Sequence, residues 1–174
     1  MVHLGETVRV THTIRFVGMR KGDAVGIGIV ALATALGAVR EFLFVNLNYQ
    51  IDSYAQGRTL SYAHSAFQKV VAGSGLDQLI LLKWGLAALF VVLMLAAGIA
   101  LSRVLFGDHR YRKPIVLGTL AIAVIALAFH GLAAWMPALE GVSIALSHAL
   151  QYPVPLLFIY AASWTSKSAP VREG

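Results

Sequence analysis

Polar and apolar positions in this chain separate into blocks rather than alternating at strand spacing or recurring at the three-to-four spacing of a surface helix. Four apolar blocks are long enough to cross a bilayer as a helix, which takes about 20 residues. They cover 24–45, about 79–105, 115–136 and about 142–164. Membrane β-strands would be about 10 residues long with strict dyad alternation, and no such pattern occurs. The reading is an all-α integral membrane protein: four transmembrane helices in an antiparallel bundle, one domain over 1–174. No internal repeat or second domain is visible.

The polar stretches between the blocks refine this picture. Residues 46–78 form a long first loop on the outer side. Within it SYAHSAFQKVV sets Ala63, Phe67, Val70 and Val71 near one face at helical spacing, which predicts a short helix on the membrane surface or capping the bundle. The glycines of GSG at 73–75 break it before the second block. In the fourth block, Pro153 and Pro155 predict a bend, or carbonyls freed around 149–151. Small residues spaced four apart (Ala24 with Gly28, Ala31 with Ala35, Ala33 with Gly37) offer close helix approach on the first span, as do 96–98 and Gly131 on the next two.

Charge sets orientation. Arg9, Arg15, Arg20 and Lys21 precede the first span, Arg103, Arg110, Arg112 and Lys113 lie between the second and third, and Lys167 and Arg172 follow the fourth. The outer loop carries only Arg58 and Lys69. Because cytoplasmic loops are enriched in Lys and Arg, both termini are expected in the cytoplasm of a bacterium, with the chain in its inner membrane. The start, MVHLGETVRVTHTIRFVGM, is too polar and broken for a secretory signal, so the N-terminus is expected to be retained. The hairpin FGDHRYRKP at 106–114, with His109 and Tyr111, fits positive-inside anchoring and contact with anionic headgroups, Pro114 opening the third span. Trp84, Trp135 and Trp164 lie near span ends, as an aromatic belt requires.

Composition supports the same class. Of 174 residues 58% are hydrophobic and 13% charged, against about a quarter charged in a soluble domain. The absence of cysteine excludes disulfides, thiolate metal sites and cysteine nucleophiles. The net charge of +6 sits beside apolar blocks rather than in an aromatic-interleaved patch, so nucleic acid is not an expected partner. The bilayer is, and other membrane subunits or a second copy are candidates.

Candidate chemistry comes from ionisable groups inside the blocks. In VREFLFVNLNYQ (39–50), Arg40 and Glu41 lie about a turn and a half from the polar Asn46. Lys83, His130 and His148 stand at similar counts from the outer ends of the other three spans, all roughly 8–10 Å below the boundary at 1.5 Å per residue. Gln151 lies one turn deeper than His148 on its face, and Tyr152 joins them. Asn46, Asn48, Tyr49 and Gln50 would form the mouth above this layer. Adjacent helical residues diverge by about 100°, so Arg40 and Glu41 are not expected to share a partner; Lys83 is a candidate counter-ion for Glu41. The simpler alternative is structural, with Arg40 and Lys83 snorkelling, Glu41 neutralising one of them and both histidines hydrogen-bonded. The bilayer centre carries no charge, which argues against a continuous ion path.

Four functions compete. The expected one is a non-catalytic accessory or assembly subunit of a larger inner-membrane complex, since no nucleotide, metal or nucleophile motif occurs. The second is a small transporter, channel or sensor whose outward pocket is built from Arg40, Glu41, Lys83, His130, His148 and Gln151. The third is a b-type haem anchor with His130 and His148 as axial ligands; no cofactor is otherwise expected and no metal site is assigned. The fourth is a lipid-acting enzyme pairing Glu41 with a histidine, for which no catalytic residue is assigned. Ser143 and Ser147 flank His148, but a helical serine ordinarily bonds the carbonyl four residues back.

Overall fold

A computed structural model describes residues 21–58, 60–108 and 110–168, with side chains to residue 163. Arg9, Arg15, Arg20, His109 and Arg172, and the side chains of Trp164 and Lys167, lie outside the described residues. The described chain is helical and contains no strand: α1 Lys21–Ala55, α2 Ser65–Val70, α3 Leu76–Phe106, α4 Arg112–Leu132, α5 Ala138–Gln151 and α6 Val154–Ser168. Three of these, α1, α3 and α4, are long and apolar enough to cross a membrane, and α5 with α6 make a broken fourth candidate bent by 54°. Large apolar side chains such as Leu32, Leu81, Val92, Leu117 and Val124 are more than half exposed, while Arg40, Asn46, Ser102 and Ser143 are buried. That arrangement is inverted relative to a water-soluble bundle, and the protein is an all-α membrane protein.

Element boundaries depart from the hydropathy blocks for identifiable reasons. Helix α1 does not stop near residue 45 but continues to Ala55. At about 1.5 Å per residue its 35 residues reach about 52 Å, well past a hydrocarbon core of about 30 Å. Its polar last third is helical because tertiary contacts hold it. Leu47 is fully buried against Ala63, Phe67, Val71 and Leu79. Asn46 accepts from the His64 N–H and donates to the Phe42 carbonyl, and Ser53 donates to Arg58 and Leu60 carbonyls at 3.2 Å each. The supposed loop 46–78 thus begins ten residues later than its polarity implies.

The predicted short helix forms as α2 and caps this end. Ala63, Phe67 and Val71 turn inward, but Val70 is 82% exposed and leaves the expected face. His64 supplies the N-cap, its Nδ1 accepting from the Ala66 N–H at 3.2 Å. Helix α4 ends at Leu132, short of residue 136, and residues 133–135 form a turn before Pro137. At its start Pro114 occupies the third helical position rather than the first.

Helix α3 is the hub, packing against α1, α4, α5 and α6. Ala33, Met94, Leu101 and Leu156 form a second buried cluster between α1, α3 and α6. Of the small-residue pairs on α1, Ala33 and Gly37 are buried, whereas Ala24, Gly28, Ala31 and Ala35 are exposed. A Cβ on Gly26 would stand 3.1 Å from Leu105 Cδ2, and one on Gly37 would stand 3.4 Å from Pro153 Cδ. Gly98 is buried where α3 meets Ile115 and Ile159, but Gly131 faces open space.

Candidate functional site

The break in the fourth block positions the polar cluster. Pro153 has no N–H for α5 to use, and it drives the preceding residue out of helical dihedrals. Tyr152 accordingly adopts extended backbone, φ −105° and ψ 159°. The corner approaches α1 at Gly37, where the missing side chain leaves room for Pro153 and Tyr152. Three residues further along α1, Arg40 meets the end of α5.

Arg40 is only 2% exposed. Its Nε donates to Gln151 Oε1 at 2.9 Å, and its Nη1 donates to Tyr152 OH at 3.0 Å and to Glu41 Oε2 at 3.1 Å. The Tyr152 hydroxyl in turn donates to the Glu41 carboxylate. The guanidinium carbon lies 4.5 Å from the Phe44 ring centroid and 4.8 Å from that of Tyr152. An ion pair, hydrogen bonds and two aromatic faces together offset the cost of removing a guanidinium from water.

This corrects three expectations. Arg40 and Glu41 do share a partner, Tyr152, because long flexible side chains close the 100° between their Cα–Cβ directions. Arg40 is also not a snorkelling residue, since it turns into the protein while Glu41 remains 55% exposed. Lys83 forms no ion pair with Glu41 among the described residues; Glu41 pairs with Arg40 instead.

A cavity of about 360 Å³ opens beside this cluster, within the usual range for small-molecule pockets of about 300–1,000 Å³. Arg40, Glu41, Lys83, His130, His148 and Gln151 all line it. Helices α1 and α5 form its long walls, α3 contributes Lys83, Trp84 and Ala87, and α4 contributes His130. Asn48 reaches the cavity from the expected mouth, but Asn46 is taken up by His64, and Tyr49 packs against Tyr62 with ring centroids 6.2 Å apart. His130 stands edge-on to Trp84 at 5.4 Å, and His148 to Tyr152 at 6.0 Å. Each imidazole therefore has an aromatic ring on one flank. Among the described residues, no three His, Asp or Glu side chains are grouped to hold a metal ion.

The cavity also recruits Glu140, which the sequence reading did not single out, together with the two serines that it set aside. Glu140, Ser143 and Ser147 line the α5 wall with Gln151. Their spacing of three, four and four is one stripe of a helix, a signal present in the fourth block but obscured by its alanines and leucines. Ser143 does not bond its own helix: its Oγ donates to the Ala126 carbonyl of α4 at 2.8 Å. Ala126 is the buried residue of α4, and its small side chain lets the helices come that close. Trp84, assigned to an aromatic belt, is part of the wall. Compared with known proteins, the chain matches no family model, no curated protein and no solved structure.

Proposed function

We propose that the protein is a ligand-binding membrane protein of the transporter or sensor type, holding a small molecule in the pocket between α1 and α5. The observation that carries this reading is the convergence of the six candidate residues, drawn from four separate apolar blocks, on one cavity. Side chains that merely snorkelled or paired at random would have no reason to meet. In this reading the broken α5–α6 pair serves as the fourth span and both termini lie in the cytoplasm of a bacterial inner membrane. The basic residues Arg103, Arg110, Arg112 and Lys113 mark the inner side, so the pocket opens toward the outside.

Filling the pocket tests the proposal. Ala87 of α3 and Ser147 of α5 both line the cavity, and Ala87→Phe or Ser147→Phe should displace a bound molecule while leaving the Arg40 cluster in place. Small molecules extracted from the purified wild type should include a species missing from both variants. Identical extracts from all three proteins would remove the basis for a pocket function.

The accessory-subunit reading has an observation of its own. Helix α4 buries Ala126 alone of its 21 residues, leaving an apolar surface for lipid or for another subunit. A native mass showing a stoichiometric protein partner would favour that role.

A further inference from the structure

The cavity is lined by two cations, Arg40 and Lys83, and two carboxylates, Glu41 and Glu140, but they are not all paired. Arg40 is answered by Glu41. Lys83, seven residues into α3 and half-buried in the cavity wall, has no hydrogen-bond or ion-pair partner among the described residues. Glu140 lines the same cavity from the first turn of α5 but forms no ion pair with it. An ammonium held at membrane depth without a counter-ion is costly, and such groups mark binding paths.

The rest of the wall restricts what could supply that counter-charge. Phe44, Val45, Trp84, Ala87 and Ile144 make a largely apolar surface beside Lys83. Helix α1 packs chiefly on α3, and α5 chiefly on α4, so the two long walls are bridged mainly by the bonds from Arg40 to Gln151 and Tyr152. Val45 and Ile144, one on each wall, remain 39% and 47% exposed. With α1 and α5 in little direct contact, these two side chains leave apolar surface accessible at the cleft. A small hydrated anion would meet Lys83 but leave the apolar walls unfilled.

We infer that the ligand of this cleft is an anionic amphiphile, a single acyl chain whose charged headgroup pairs with Lys83 and whose first methylenes lie along the Phe44, Val45 and Ile144 walls. The inference rests on the pocket reading above and adds the class of molecule and its anchoring residue.

Native mass spectrometry of the full chain in detergent, titrated with oleate, oleyl alcohol and inorganic phosphate, tests it. Wild type should take up one oleate in a saturable manner. Lys83→Gln should weaken that by at least about tenfold, as expected when one member of a desolvated charge pair is truncated. Lys83→Arg should restore it, because the charge is kept. Oleyl alcohol, which lacks the charge, should bind wild type and Lys83→Gln equally. Oleate binding unaffected by Lys83→Gln would overturn the assignment. Phosphate binding as tightly as oleate would overturn the amphiphile while leaving the pocket reading intact. If none of the three probes binds wild type, and the extracts of wild type and Ala87→Phe are also identical, both readings fall.

Discussion

Two stretches of α1, one toward Lys21 and one around Arg40, hold their neighbours by different physics. Toward Lys21, contact is made by small residues and fitted apolar surfaces. Gly26 admits Leu105, Leu101 and Tyr160 within 3.5 Å of where a Cβ would sit, and Ala33 packs with Met94, Leu101 and Leu156. Around Arg40 the helix meets α5 through a guanidinium, a carboxylate, an amide and a phenol. The first arrangement leaves little space; the second leaves a cavity of about 360 Å³. In lipid there is no hydrophobic drive between helices, so close packing and interhelical polar bonds are the two available means of association. This chain uses packing where two helices must touch, and polar reach where they must stay apart.

That contrast predicts a graded response to substitution. Arg40→Ala should be the most damaging, because it leaves Gln151, Tyr152 and Glu41 without their shared partner and removes the link between the cavity walls. We expect a loss of about 3 kcal/mol, measured by thermal or denaturant unfolding in detergent. A loss below about 1 kcal/mol would mean that the cluster serves the pocket rather than the fold. Gly26→Val attacks the packed stretch. Its branched side chain must displace Leu105 and Tyr160, at a cost of about 2 kcal/mol for overpacking, and binding at the pocket should be unchanged. Impaired binding in Gly26→Val would show that the two stretches are coupled rather than independent. Ser143→Ala should have the smallest effect. One interhelical hydrogen bond is worth about 0.6 kcal/mol in a membrane, so its unfolding curve should nearly overlay that of wild type.

How much of this was legible in the residues depends on the range of the interaction concerned. The long apolar helices were readable because hydropathy is a property of each residue alone, and the break at Pro153 was readable because proline acts on its immediate neighbour. The capping helix showed in Phe67 and Val71 at helical spacing, but the continuation of α1 to Ala55 did not. That segment is polar, and it is held in helix by Leu47 against Phe67 and by Asn46 against His64, contacts that join residues 18 or more apart. The common depth of Arg40, Glu41, Lys83, His130 and His148 could be counted along each helix. Which of them pair could not, since depth says nothing about azimuth or reach. Lys83 looked like the counter-ion of Glu41, yet that place belongs to Arg40 and Tyr152.

The sequence by itself determined that this is an all-α membrane chain, and which of its stretches are apolar and long enough to span a membrane. These follow from transfer free energies and backbone rules that apply residue by residue. Only the tertiary structure decided that Arg40, Glu41, Lys83, His130, His148 and Gln151 line one cavity, that Arg40 bonds across it to Gln151 and Tyr152, and that Lys83 has no hydrogen-bond or ion-pair partner among the described residues. Those outcomes depend on how α1 and α5 each pack against α3 and on the corner at Pro153 resting against Gly37, which is geometry among distant segments that no local pattern encodes.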